Sequence, residues 1–81
     1  FREPHRIAVK TVRRRDHDLP VKYREADDWV LIESAAGPDR VSGEQWEKPF
    51  AREYFRCVNE NGTLVWIYRE KAEWYLQGWW D

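Results

Sequence analysis

The sequence predicts an all-β domain: a small antiparallel sheet of five or six strands, curved strongly enough to close as an SH3-like barrel, with one short helical turn. Three observations predict it. Short segments of alternating apolar and polar residues recur along the chain, rich in β-branched and aromatic types. Asn61-Gly62 stands between two of these segments and is a strong hairpin signal, because both residues of a tight hairpin turn need positive φ. The 81 residues, 16% of them aromatic, allow one domain, 1–81, and large rings suit its limited core.

Arg6 to Val12 alternates and reads as a strand with Ile7, Val9 and Thr11 on one face. Arg13 to Asp18 has no apolar residue and reads as a loop. Pro20 to Arg24 alternates again, with proline tolerated at a strand start. Ala26-Asp27-Asp28 is turn chemistry, and Trp29-Val30-Leu31-Ile32 is an apolar run of the kind buried on both faces. Ala36-Gly37-Pro38-Asp39 breaks the pattern before a short extended Arg40-Val41. Ser42 as N-cap with Gln45 at the third helical position predicts the helical turn, ending before Pro49.

If Asn61 and Gly62 are the two central turn residues, Val58 faces Val65, Cys57 faces Trp66 and Phe55 faces Tyr68. Phe55, Cys57, Leu64, Trp66 and Tyr68 then form the core face. Tyr54, Arg56, Val58, Val65, Ile67 and Arg69 form a second face too apolar for water, which another element or a partner must cover. A turn near Lys71-Ala72-Glu73 leads to a last strand, Trp74 to Gln77, which Gly78 ends before Trp79-Trp80-Asp81.

Residues 1–24 hold eight Lys or Arg and three acids, a charge of +5, whereas residues 25–81 hold six and twelve, a charge of −6. One cysteine and two histidines offer no Cys/His pair of metal-ligand spacing, so no metal is expected. No G-x-S-x-G and no phosphate-cradling glycine loop occurs, and Cys57 lies on the expected core face. No catalytic residue or cofactor is therefore expected, and the chain reads as a non-enzyme. The single cysteine suits a reducing, cytoplasmic setting, and no apolar run is long enough for a membrane helix. Without an initiator Met, the chain reads as a piece of a longer protein.

Five motifs in order carry a resemblance: Gly37-Pro38-Asp39-Arg40-Val41, Trp46, Arg52-Glu53-Tyr54-Phe55-Arg56, Trp66-Ile67-Tyr68-Arg69-Glu70 and Trp74-Tyr75-Leu76-Gln77-Gly78. Over about residues 4–80 the chain resembles the C-terminal domain of ImuB-like proteins, homologues of Y-family DNA polymerases in bacterial mutagenic repair cassettes. It departs where that pattern has a second Trp (Glu47 here), a His (Gln77) and a closing Leu-Phe (Trp79-Trp80). Small proteins carrying such a domain alone also exist.

The resemblance implies a non-catalytic protein-interaction module in translesion DNA synthesis, part of the DNA damage response that leads to mutagenesis. The expected partners are a RecA-like ImuA protein or a DnaE-type polymerase. The candidate partner-binding residues are Tyr54, Arg56, Arg69, Trp79 and Trp80, because Trp, Tyr and Arg dominate binding hot spots. Two rival readings are a single-stranded DNA-binding accessory domain, with Arg13, Arg14 and Arg15 on phosphates, and a purely structural end-cap of the parent protein.

Overall fold

The computed structural model of the protein describes residues 3–45 and 48–80, with 44, 45, 48–50, 79 and 80 described by backbone alone. Six strands follow one another: β1 (His5–Arg13), β2 (Asp18–Glu25), β3 (Asp28–Gln45), β4 (Lys48–Asn59), β5 (Leu64–Glu70) and β6 (Glu73–Trp80). Each pairs antiparallel with the next, and β6 returns to β1, so the sheet closes as an up-and-down barrel. The all-β prediction holds, and the closed six-stranded barrel is consistent with a small SH3-like barrel.

Alternation fills the barrel. Tyr23, Phe55, Cys57, Val65, Ile67, Trp74 and Leu76 form the buried core, with Ile7, Val9, Leu19, Val30, Ile32 and Ala35 packed against it. Phe55 and Trp74 meet with ring centroids 5.6 Å apart. Burial leaves the Cys57 thiol without water and pushes its pKa up to about 12, so it is a small core hydrophobe at neutral pH.

Among the described residues four irregularities interrupt the ladders: one at Glu33, between Ile32 and Ser34 of β3, and three beside proline or glycine. In β2, Val21 is an extra residue opposite the Lys10/Thr11 step, and buried Pro20 sits beside that bulge, where a missing N–H costs little. In β3, Ala36 to Asp39 does not end the strand: Gly37-Pro38 bulges opposite Phe55 and pairing resumes at Asp39. In β6, Gln77 bulges between Leu76 and Gly78, and the strand continues through Gly78 to Trp80 instead of stopping.

The hairpin register differs by one residue from the expected one. Val58 pairs with Leu64, Cys57 with Val65, Arg56 with Trp66, Phe55 with Ile67 and Tyr54 with Tyr68. The turn has three loop residues, Glu60-Asn61-Gly62. The Gly62 N–H donates to the Asn59 carbonyl (2.9 Å), the Asn59 N–H donates to the Thr63 carbonyl (2.9 Å), and Gly62 alone takes positive φ, 81°. That is a turn followed by a left-handed glycine bulge, not the two-residue turn. Because side chains alternate with period two, the slip turns β5 over. Val65 and Ile67 face the core, and Leu64, Trp66 and Tyr68 face outward with Tyr54, Arg56 and Val58.

Two other expectations are corrected. Val30 and Ile32 face inward, but Trp29 and Leu31 are exposed, because β1-β2-β3 has only one covered face. The expected helical turn at Ser42–Gln45 is extended strand. Ser42 to Gln45 pair with Ala51 to Lys48, and cross-strand partners satisfy the backbone groups a helix would have used. Trp46 and Glu47 lie outside the described residues.

Strands β5 and β6 are joined by a two-residue turn. Lys71 (φ 53°) and Ala72 (φ 67°) are both left-handed, between the paired Glu70 and Glu73. Neither residue favours that conformation, which asks for Asn-Gly. Lys71→Asn with Ala72→Gly is expected to stabilise the fold by about 1 kcal/mol or more, raising the thermal midpoint by about 4–8 °C. An unchanged midpoint in a calorimetric scan would count against this turn assignment.

Candidate interaction surface

The outward faces of β4, β5 and β6 bring four rings together. Trp66 meets Tyr54 edge-on, with centroids 6.5 Å apart. Tyr54 lies 5.0 Å from Tyr68, and Tyr68 stacks on Tyr75 at 5.0 Å. The register produces this ladder directly, since Tyr54, Tyr68 and Tyr75 are successive cross-strand partners. Such ring pairs contribute about 0.5–1.5 kcal/mol each beyond area burial. Tyr68, only 4% exposed, is enclosed by its neighbours, while Tyr54, Trp66 and Tyr75 remain half-buried.

Arginines flank the ladder. The Arg52 guanidinium lies 4.6 Å from the Tyr68 ring centroid, donates to the Tyr54 hydroxyl (3.0 Å) and pairs with Glu70 (2.8 Å). Desolvation raises the Tyr68 phenol pKa above its ordinary value. Arg56, directly across from Trp66, is exposed and sits 3.7 Å from Asp39. Arg6, opposite Tyr75 on β1, pairs with Glu73 at 2.8 Å. The Trp66 indole N–H is covered by protein yet donates to no described residue. A buried donor left unpaired costs about 1–3 kcal/mol, so this spot is not optimised for the stability of the chain by itself.

The sequence-predicted residues separate. Tyr54 and Arg56 share the ladder face. Arg69 does not: the register slip puts it on the inner face, at one end of the barrel. There its guanidinium joins Glu53 (2.8 and 3.2 Å) and Asp18 (3.1 Å), over the Trp74 ring at 5.4 Å. Arg40 and Arg13 extend this cluster to Glu53 and Asp18. Hydrogen bonds from Arg69 first, then Arg13, hold the Asp18 carboxyl below its ordinary range. Its contribution is therefore present above the ordinary carboxylate pKa and lost as pH falls through the depressed value. The backbones of Trp79 and Trp80 pair with Val65 and Leu64, and their side chains lie outside the description.

Arg13, Arg14 and Arg15 occupy the β1–β2 turn region. Arg13 is held by Asp18, and the same loop carries an Asp16–His17 pair at 2.8 Å, so carboxylates interrupt the basic run. Sequence reading missed Trp66, Tyr68 and Tyr75 as outward-facing residues. The signal that finds them is the loop length, which decides their face.

No known protein family, curated protein or solved structure matches this chain. The likeness to ImuB-like C-terminal domains therefore rests on the motifs alone.

Proposed function

We propose that the chain is a non-catalytic protein-interaction module that docks a partner on the outer face of β4-β5-β6. The observation that carries this reading is the four-ring ladder Trp66-Tyr54-Tyr68-Tyr75 on the outside of the barrel, bordered by Arg52 and Arg56. Tyrosine, tryptophan and arginine give large contact area with few rotors to freeze, which is the chemistry of binding hot spots. The exposed Val41 beside Arg52 adds to it. Tyr54 and Arg56 are the central contacts in this reading, and Arg69 holds the barrel end.

The motif resemblance directs the choice of partner to a RecA-like ImuA protein or a DnaE-type polymerase of a translesion synthesis complex. The test is capture of these two proteins, from the same source, on the immobilised chain. Tyr54→Ala with Arg56→Ala should reduce capture at least tenfold, since two hot-spot truncations remove about 2 kcal/mol or more. Equal capture by the wild type and a folded double variant, or no capture of either protein, overturns the assignment.

A further inference from the structure

The other half of the barrel carries a second surface of different chemistry. In β1-β2-β3, Val9, Tyr23 and Val30 form one cross-strand row that points into the core. The rows on either side point outward: Ala8, Arg24 and Trp29, then Lys10, Lys22 and Leu31. Trp29 is 38% exposed and Leu31 54%. The Lys10 and Lys22 ammonium groups lie 5.6 and 5.5 Å from the Trp29 ring centroid.

Lys10 and Lys22 are direct cross-strand partners, and like charges so placed repel. Elsewhere on the barrel Arg6, Arg13, Arg40, Arg52, Arg56 and Arg69 each meet a carboxylate. Among the described residues no carboxylate lies within 4.0 Å of Lys10, Lys22 or Arg24. The fold thus gathers three uncompensated cations around one exposed indole. The missing anion is the complement this face calls for.

We propose that this face binds single-stranded nucleic acid: a base stacks on Trp29, and the flanking phosphates meet Lys10, Lys22 and Arg24. Alternation of ring and cation matches the alternation of base and phosphate in an unpaired strand. An acidic peptide would satisfy the cations but bring no flat ring for the indole. Arg14 and Arg15 are exposed on the same hairpin, but Asp16 and Asp18 beside them offset their charge, so the binding is assigned to Lys10, Lys22 and Arg24.

The test is fluorescence anisotropy of labelled oligothymidylate and oligouridylate, each about twenty nucleotides long, with the whole chain and polyglutamate as competitor. Neutralising about three phosphates predicts roughly 20-fold weaker binding on going from about 50 to about 200 mM salt. Trp29→Ala should weaken binding roughly tenfold, and Trp29→Phe should recover most of that loss. Lys10→Gln with Lys22→Gln should weaken binding and flatten the salt dependence, giving a second reading independent of the indole. Preference between the two oligonucleotides separates DNA from RNA. Absence of binding at low salt overturns the proposal, as does binding indifferent to both variants. Displacement by polyglutamate as effective as by the oligonucleotide also overturns it, in favour of an acidic peptide.

Discussion

Replacing Gly37 by alanine is expected to cost about 3 kcal/mol or more and to lower the thermal midpoint by about 12–24 °C. Gly37 has φ of +140°, a conformation that side chains with a Cβ rarely adopt. A Cβ there would lie 2.6 Å from the Tyr54 carbonyl oxygen and 3.3 Å from Phe55 Cδ2. The first contact is with backbone, so no rotamer change relieves it. Relief requires β3 and β4 to separate at the point where Phe55 enters the core and Tyr54 leaves for the ladder. The effect is large against a total stability of about 4–12 kcal/mol for a domain of this size. Urea titration read by near-ultraviolet circular dichroism measures it, and a loss under about 1 kcal/mol would show that the bulge tolerates a side chain. Gly62→Ala is the control: φ is positive there too, at 81°, but a Cβ meets nothing within 4 Å, so its cost is conformational only.

Asn59→Ala should lose about 3 kcal/mol, because one buried amide serves both the core and the turn. Its Nδ2 donates to the Tyr23 hydroxyl at 3.1 Å, and its Oδ1 accepts from the Asn61 and Thr63 N–H groups at 2.9 and 3.0 Å. Tyr23 is 1% exposed, and burial raises its pKa, so its hydroxyl has no ready substitute partner. A double-mutant cycle with Tyr23→Phe isolates the pair. Asn59→Ala should cost about 1 kcal/mol less in the Phe background, and strict additivity would show that the two groups are energetically independent.

Asn59 also explains why the hairpin faces were half legible. Strand β4 was readable: Phe55 and Cys57 inward, Tyr54 and Arg56 outward. Strand β5 was not, since Asn61-Gly62 accepts either a two-residue turn or a three-residue loop ending in a left-handed glycine. Local sequence does not choose between them. The choice comes from Asn59, whose side chain caps two loop N–H groups only in the longer loop, and from volume. A barrel already holding Tyr23, Phe55 and Trp74 fits Val65 and Ile67 inside in place of Trp66 and Tyr68. Arg69 moved from the expected partner face to the barrel-end ion cluster by the same single-residue slip.

Other differences have the same character. Lys71-Ala72 forms the tight turn although neither residue advertises positive φ; the fixed strand lengths on either side impose it. The helical signature at Ser42 lost to extended pairing with Lys48 to Ala51, a few residues further along the chain. The apolar run at Trp29 suggested burial on both sides, and only the closed topology reveals that one side stays open among cations. Alternation, turn residues and aromatic content thus specify strands and their order of folding back. Which face a ring occupies depends on contacts far apart in the chain.

The short β1–β6 seam has a kinetic consequence. Among the described residues it joins His5–Ile7 to Trp74–Leu76, while every other pairing links strands adjacent in sequence. Closing it spans almost the whole chain for three described residue pairs and an exposed Arg6–Glu73 bridge of little strength. The sequential hairpins can therefore assemble first, as local contacts are reached fastest, and ring closure completes the search. Once folded, the same seam is the least costly place for the barrel to breathe.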